Sequence, residues 1–333
     1  MDNVLVTGAN GHVGYNITKL LADRGYNVRA SVRDIHDTDK TNHLNELGVQ
    51  VIEADIMNPE SLKNAVDGMD GVFQVAAVFK TWAKNPQKEI IEPSVIGGVN
   101  VLKAAKAAGV ERIVFTSGNV AMGSDSSPER VFTEEDWNDT ATSPYVVAKT
   151  QGEKKAWEYA EQNNLDMVCI NPSAVIGPGF YRHTGSTEFF EEILNGKLPG
   201  IFPLNLNFVD ARDVAAAHLL AYENKDAKGR YLVSNGFFTF GDLLQLIKGF
   251  EPGITIPDKQ ISLSQLKVFS FIDWCSSLIT GKRKLTKEMI NDTLGKYATF
   301  SSQKAREELG WEPMDIRQSI KDTITWVKRH FQV

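Results

Sequence analysis

Tyr145 and Lys149 stand four residues apart in Ser143-Pro144-Tyr145-Val146-Val147-Ala148-Lys149. On a helix that spacing is about one turn, so the two side chains share a face. An ammonium beside a phenol favours the phenolate and draws a tyrosine below its ordinary pKa of about 10. A tyrosine so placed can give or take a proton near neutral pH. A second chemical signal opens the chain, Thr7-Gly8-Ala9-Asn10-Gly11-His12-Val13-Gly14. It follows an apolar run and precedes a helical pattern, the setting in which a glycine-rich turn cradles a dinucleotide. Gly8 permits the tight turn, Gly11 lets the backbone approach a pyrophosphate, and Gly14 lets helix and strand pack closely. Asn10, His12 and Val13 complete the loop, where free N–H groups at the helix start would meet the phosphates. The glycine spacing is Gly-x-x-Gly-x-x-Gly. The two motifs together predict hydride and proton transfer on a bound dinucleotide.

Cofactor choice is read at the end of the second strand, Arg29-Ala30-Ser31-Val32-Arg33-Asp34. An acid there would bind the ribose 2′-hydroxyl of NAD. Val32 occupies that place and Arg33 follows, a guanidinium suited to the 2′-phosphate of NADP. Lys40, seven residues on, is a second candidate for that phosphate. Asp34 keeps a ribose contact open. Asp55 ends the third strand, where it can accept from an adenine amino group, with Ile56 covering the ring. Ala76 and Ala77, with Val78, end the fourth strand in small residues that leave room for a flat cofactor. The expected cofactor is NADP(H).

The elements that must hold these groups are legible as short apolar runs alternating with helical patterns. Strands are expected at Val4–Thr7, Val28–Val32, Val51–Ala54, Gly71–Ala76, Arg112–Thr116 and Met167–Asn171, with helices near 13–24, 60–66, 87–108 and 144–162. Near-continuous Val/Ile/Leu strands, each followed by a helix, imply a parallel sheet covered on both faces. The fold class is therefore α/β, a Rossmann doubly wound parallel sheet with a smaller helix-rich C-terminal substrate lobe. Residues 1–175 form the expected NADP-binding domain, with 208–235 returning to it. Residues 176–207 and 236–333 form the expected substrate lobe, with helices near 186–195, 211–223, 240–249, 264–279, 286–292, 302–309 and 315–329.

Bulk properties narrow the function classes. The chain has 333 residues, 42% hydrophobic and 23% charged, values ordinary for a globular protein. A net charge of −6 gives no electrostatic reason to expect nucleic acid or an anionic membrane. The two cysteines, Cys169 and Cys275, imply no disulfide framework, and Cys169 lies in an apolar run that reads as core. The six histidines lack ligand spacing, so no metal is expected. The sequence goes from Asp2 straight into a strand with no basic leader, and a cytoplasmic, reducing location is expected. Leu263 to Thr280 is interrupted by Lys267 and Asp273, so no membrane span is expected. The following Gly281-Lys282-Arg283-Lys284 reads as a solvated turn or, beside an amphipathic helix, as a membrane-surface contact.

Longer motifs carry a family resemblance. They are Val6-Thr7-Gly8-Ala9-Asn10-Gly11-His12-Val13-Gly14, Arg112 to Ser117, Tyr145 to Glu153, Asn171-Pro172-Ser173-Ala174-Val175-Ile176-Gly177-Pro178 and Phe208 to Ala215. The chain resembles the extended short-chain dehydrogenase/reductase superfamily nearly end to end. Within it, the chain is similar to the dihydroflavonol-4-reductase-like subgroup that adjoins the 3β-hydroxysteroid dehydrogenases. The resemblance implies that Tyr145 is the acid–base residue and that Lys149 holds the nicotinamide ribose. It also implies Arg33 and Lys40 at the 2′-phosphate, and Pro172 and Val175 at the nicotinamide end.

One expected partner is missing. The family's third catalytic group, a Ser or Thr after the fifth strand, falls on Gly118 in Thr116-Ser117-Gly118-Asn119. Three readings stay open: Ser117 or Asn119 supplies the donor, Tyr145 works alone or with a water, or the site is degraded and binds a dinucleotide for another purpose. Gly123 stands where plant dihydroflavonol reductases carry an asparagine. The expected pocket aromatics and apolars are Phe79, Trp82, Met122, Phe180, Tyr181 and Phe202, with the helix face Leu266, Phe269, Phe271, Ile272 and Trp274 as a further wall. Such a pocket suits an aromatic or alicyclic carbonyl. The function expected is NADPH-dependent reduction of a small-molecule ketone or aldehyde, with Tyr145 as proton donor, in a monomer or homodimer. The alternatives are an NAD-dependent nucleotide-sugar epimerase or dehydratase, and a redox-sensing dinucleotide-binding protein.

Overall fold

The structure is a computed structural model that describes residues 2–77, 80–281, 283, 285–331 and 333. β1 (Asn3–Thr7) runs through the glycine turn into α1 (His12–Asp23). There follow β2 (Asn27–Val32), α2 (Thr38–Asn45), β3 (Gln50–Glu53), α3 (Pro59–Val66) and β4 (Gly71–Gln74). A π-helical turn, Gln87–Ile91, leads into α4 (Glu92–Ala108), then β5 (Arg112–Thr116), the short β6 (Val131–Phe132), α5 (Pro144–Gln162) and β7 (Met167–Pro172). The remainder comprises β8 (Ala174–Ile176), α6 (Gly185–Leu194), β9 (Asn205–Asp210), α7 (Ala211–Glu223), β10 (Gly229–Val233) and β11 (Gly236–Thr239). It ends with α8 (Phe240–Phe250), α9 (Leu263–Thr280), α10 (Lys287–Thr293), β12 (Thr299–Phe300), α11 (Gln303–Leu309) and α12 (Ile316–His330).

Seven strands form one sheet in the order β10-β7-β5-β4-β1-β2-β3, and every pairing in it is parallel. The order reverses between β1 and β4. The carboxyl ends of those strands therefore border the crevice where a doubly wound sheet takes its ligand. The period of two sorts the strand side chains between two cores. Val4, Val6, Phe73, Val114, Val168 and Ile170 pack with residues of α1 and α7. Leu5, Val72, Ile113, Phe115, Met167 and Cys169 pack with residues of α3, α4 and α5 on the other face. Both faces are dry, which is why the strands read as unbroken apolar runs.

A smaller sheet, β11-β9-β8, stands apart from the large one. Ile176, Phe190, Phe208, Phe240, Leu244, Ile320 and Ile324 fill the core it shares with α6, α8 and α12. Of the expected returning segment 208–235, 229–233 joins the large sheet as β10, whereas 208–210 ends β9 of the smaller one. Residues beyond 300 also reach back, since Ala305, Leu309 and Trp311 join the core under α1 and α7. The Trp311 indole donates to the Asp213 carbonyl at 2.9 Å.

β4 stops at Gln74, two residues short of the expectation. The cause is Thr7, whose hydroxyl oxygen accepts from the N–H groups of Val75 and Ala76 at 2.9 and 3.0 Å. Those donors turn to a side chain instead of a strand. α2 has no counterpart among the expected helices, because its sequence is polar and buries only Thr41, His43 and Leu44. No helix among the described residues is long and apolar enough to cross a membrane.

Candidate active site

The glycine loop is built by close backbone approach. Gly8 has φ +64°, and a Cβ there would lie 2.9 Å from the Ala76 Cα. A Cβ on Gly14 would lie 2.2 Å from the Gly8 carbonyl oxygen. α1 therefore starts against the turn, with Gly11 as its N-cap and no side chain capping its first N–H groups. That arrangement leaves an uncapped helix start at the crevice, which fits a pyrophosphate. The His12 side chain takes another role. It is buried, its Nε2 meets the Pro178 carbonyl at 3.1 Å, and its ring packs edge-on against Phe180. Burial lowers its pKa to about 4, so it stays neutral and offers no cation to a phosphate.

At the adenosine end, Val32 is in the core and Arg33 is outside, with its side chain 74% exposed. Among the described residues its ion-pair partner is Asp55, at 3.7 Å, which leaves most of the guanidinium open to an anion. Lys40 is engaged differently, in an ion pair with Asp37 of its own helical turn. Asp34 accepts from the His36 N–H at 2.9 Å and closes its own loop. Asp55 Oδ1 accepts from the Met57 N–H at 2.8 Å. Ile56 is 6% exposed and packs under α4, where a Cβ on Gly97 would lie 2.5 Å from its Cδ1. Its bulk therefore serves the core of that corner.

At the other end of the crevice one pocket gathers Ala76, Ala77, Ser117, Tyr145 and Lys149, with Gln74, Thr116 and Glu153 in its lining. α5 places the pair. Pro144 opens the helix after Ser143, and Asp292 of α10 accepts from the N–H groups of Thr142 and Ser143 at 2.8 and 2.6 Å. Tyr145 then sits in the first turn and Lys149 one turn later. The Lys149 ammonium donates to the Ser117 carbonyl at 3.2 Å. Burial pushes Tyr145 up to about 12 and Lys149 below its usual value. The expected depression of Tyr145 is thus absent here, because desolvation of the phenol outweighs an ammonium that is turned to a carbonyl.

Ser117 is buried, and its hydroxyl has no hydrogen-bond partner among the described residues. Gly118 is extended, with φ −177°, and a Cβ built on it meets nothing closer than 3.8 Å. The nearest atoms would be the Pro172 carbonyl oxygen and the Val120 Cγ2. Gly123 is the opposite case, with φ +132° and Phe132 2.9 Å from a would-be Cβ. An asparagine cannot stand at Gly123 without moving that ring.

Sequence reasoning missed a buried network behind the pocket. Glu153, one turn beyond Lys149, accepts from Arg230 Nε at 2.6 Å and from Asn171 Nδ2 at 2.8 Å. Asn171 also reaches the Gly118 carbonyl at 3.4 Å. The available signal was Arg230, a charge inside the strand run Gly229-Arg230-Tyr231-Leu232-Val233. On the opposite face, His218 Nδ1 meets the Val214 carbonyl and its Nε2 meets the Thr116 hydroxyl at 2.8 Å. The expected pocket aromatics mostly serve cores instead. Met122 packs with Phe132 and Leu232, Phe180 lies in the smaller core, and Phe202 stacks on Phe240. Tyr181 stacks on His43 at 4.2 Å. Trp82 is partly exposed, and Phe79 and Val78 lie outside the described residues. Pro172 ends β7 and Val175 lies in β8, packed against the core of the large sheet. Among the described residues, no group of three His, Cys, Asp or Glu side chains is placed to hold a metal.

This geometry has a match in known proteins. Residues 4–234 match the NAD dependent epimerase/dehydratase family. The chain belongs to that family. Cinnamoyl-CoA reductase 1 of Arabidopsis thaliana is 35% identical over 334 residues, covering 96% of this chain and 88% of the relative. The bifunctional dihydroflavonol 4-reductase/flavanone 4-reductase of Malus domestica is 31% identical over 283 residues, covering 78% and 79%. Among solved structures, Gre2 of Candida albicans in complex with NADPH is 27% identical, with a TM-score of 0.79 and full coverage of both chains. These relatives bear out the expected membership in the dihydroflavonol-4-reductase-like branch of the family. The Rossmann sheet is likewise as expected.

Proposed function

We propose that the protein is an NADP(H)-dependent reductase that converts a small ketone or aldehyde to an alcohol, with Tyr145 as proton donor. The observation that carries this reading is the pocket itself, where Tyr145, Lys149 and Ser117 meet Ala76 and Ala77 at the switch point of the sheet. The relatives include cinnamoyl-CoA and dihydroflavonol reductases and an NADPH-bound structure, which supports the reductive direction and the cofactor. Exposed Arg33 beside core Val32 supports the 2′-phosphate form.

A reduced nicotinamide, when bound, supplies the hydride that forms the new C–H bond. The chain does the rest. Gly8, Gly11 and Gly14, with the backbone of Asn10, His12 and Val13, hold the pyrophosphate. Arg33 meets the 2′-phosphate, and Asp55 borders the adenine. Lys149 fixes the ribose, and Pro172 and Val175 border the nicotinamide. Tyr145 gives its proton to the carbonyl oxygen as the C=O π pair moves onto that oxygen, and solvent later restores the phenol. Ser117 Oγ donates a hydrogen bond to the same oxygen in place of the side chain that Gly118 lacks. The smaller sheet and its helices cover the substrate, an aromatic or alicyclic carbonyl.

The test is NADPH oxidation over a panel of aromatic, aliphatic, steroidal and diketone carbonyls, with Tyr145→Phe as control. Turnover that falls by about 10² or more in the variant is the expected result. With Tyr145 raised to about 12, the phenol stays protonated through the neutral range. Reduction should therefore vary little with pH there, while alcohol oxidation, which needs the phenolate, should rise about tenfold per pH unit. Full activity in Tyr145→Phe would remove Tyr145 as the acid. NADPH binding with no turnover on any substrate would assign a binding role instead.

A further inference from the structure

α9 is built inside out. Its seat on the protein is formed by Leu266, Ser270, Asp273 and Ser277, of which only Leu266 and Ser270 are buried. Ser270 donates to the Leu285 carbonyl at 3.0 Å, and Arg283 bonds Asp273 at 3.2 Å. The large apolar side chains point away. Val268, Phe271, Ile272, Trp274, Leu278 and Ile279 are all exposed, Ile279 at 92%. At 3.6 residues per turn these six fall within about 160° of the helix circumference, and Phe269, also exposed, widens the arc to about 220°. A helix packing on one partner helix needs an apolar stripe of about 100°. One helix of a second copy of this chain would thus leave the flanks of the apolar arc wet, whereas a lipid surface would take the whole arc. Scattered apolar residues need no explanation, but a contiguous patch marks an interaction site.

Charge selects the kind of surface. The chain carries −6 overall, yet residues 258–288 hold six basic side chains against three acidic. Lys259, Lys267 and Lys287 are exposed around α9. The sequence adds Lys282 and Lys284, which lie outside the described residues. Exposed aromatic and aliphatic groups on a helix that carries and is flanked in sequence by lysines are the make-up of a helix that lies at an anionic bilayer interface. We propose that α9 docks this protein on anionic membrane surfaces, with its apolar arc in the boundary between headgroups and acyl chains. The aromatic face at Phe269, Phe271, Ile272 and Trp274, expected as a pocket wall, is then a lipid face. The overall negative charge, read above as disfavouring such a surface, is outweighed locally.

The experiment is flotation of the full chain with vesicles of phosphatidylcholine alone and of phosphatidylcholine mixed with phosphatidylglycerol. Binding to the mixed vesicles, weakened by added salt, is the expected result. Leu278→Ser combined with Ile279→Ser should lower that binding about tenfold or more while leaving the thermal midpoint unchanged. An environment-sensitive dye on Cys275 gives a second readout, since Cys275 is exposed and Cys169 is buried. Its emission should shift to the blue only with anionic vesicles. Absence of vesicle binding would overturn the proposal. So would a dimer that the double variant splits, seen by light scattering without vesicle binding, which would assign the face to a second copy. Loss of turnover in the double variant without vesicle binding would assign the face to the substrate instead.

Discussion

Two glycines bracket the chemistry, and they are glycines for opposite reasons. At Gly14 a Cβ would lie 2.2 Å from the Gly8 carbonyl oxygen, inside any tolerable contact. At Gly118 the nearest atoms to a Cβ are 3.8 Å away, and the backbone is extended. Sterics force the first glycine, because α1 must start against the turn that faces the phosphates. Nothing in the packing forces the second. The cofactor end is thus a backbone device with no freedom, while the oxygen end is a side-chain device with one place left open.

The sharpest way to break this comparison is Gly14→Ala. The added methyl meets backbone rather than a movable side chain, so the start of α1 has to shift. We expect a loss of about 3 kcal/mol or more in urea unfolding, together with loss of dinucleotide binding. A variant that folds and binds as the parent does would show that the loop yields, and the contrast with Gly118 would vanish.

Gly118→Ser tests the other half and should act on rate alone. Stability should stay within about 1 kcal/mol of the parent, since the methylene has room and φ is ordinary. Turnover should change little in the parent, where Ser117 already donates, and should rise by about 10²–10³ in a Ser117→Ala background, the inverse of what removing one such donor costs. Ser117→Ala in the parent sharpens the point. If it lowers turnover and Gly118→Ser then restores it, Ser117 is the substitute donor. If Gly118→Ser raises turnover in the parent and Ser117→Ala costs nothing, Ser117 does not supply the donor and the place at Gly118 is empty.

The same contrast explains what the sequence could tell. The glycine turn and the parallel strands are local statements: spacing and apolar runs carry them, and β1, β2, β5 and β7 fall within a residue of expectation. The Tyr145 and Lys149 pair is also local, one helical turn. What was illegible depends on distant partners. Thr7 ends β4 from 68 residues away, and Glu153 finds Arg230 from 77 residues away. The three residues of β8 are too short to announce a strand. In α9, apolar side chains at helical spacing read as an inward face, yet the seat holds the serines and the aspartate. Periodicity identifies a helix but does not say which side the protein takes.

The smallest expected effect lies at Arg33, where the cofactor end does use a side chain. Its guanidinium is exposed and, among the described residues, faces the Asp55 carboxylate at 3.7 Å. A charge-assisted bond to a 2′-phosphate is worth about 1.5–3 kcal/mol in a sheltered site, and solvent and salt reduce it at an open one. Arg33→Ala should therefore weaken NADPH by about tenfold and leave NADH within about twofold. Lys40→Ala should do less, because its ammonium is held by Asp37, the residue that precedes α2. The two Kd values, measured at low and high salt, check the assignment: the NADPH difference should shrink as salt rises. Equal losses for both nucleotides would mean that Arg33 supports the loop rather than the phosphate. Selectivity for NADPH would then have to come from the backbone, and the cofactor end would be a backbone device throughout.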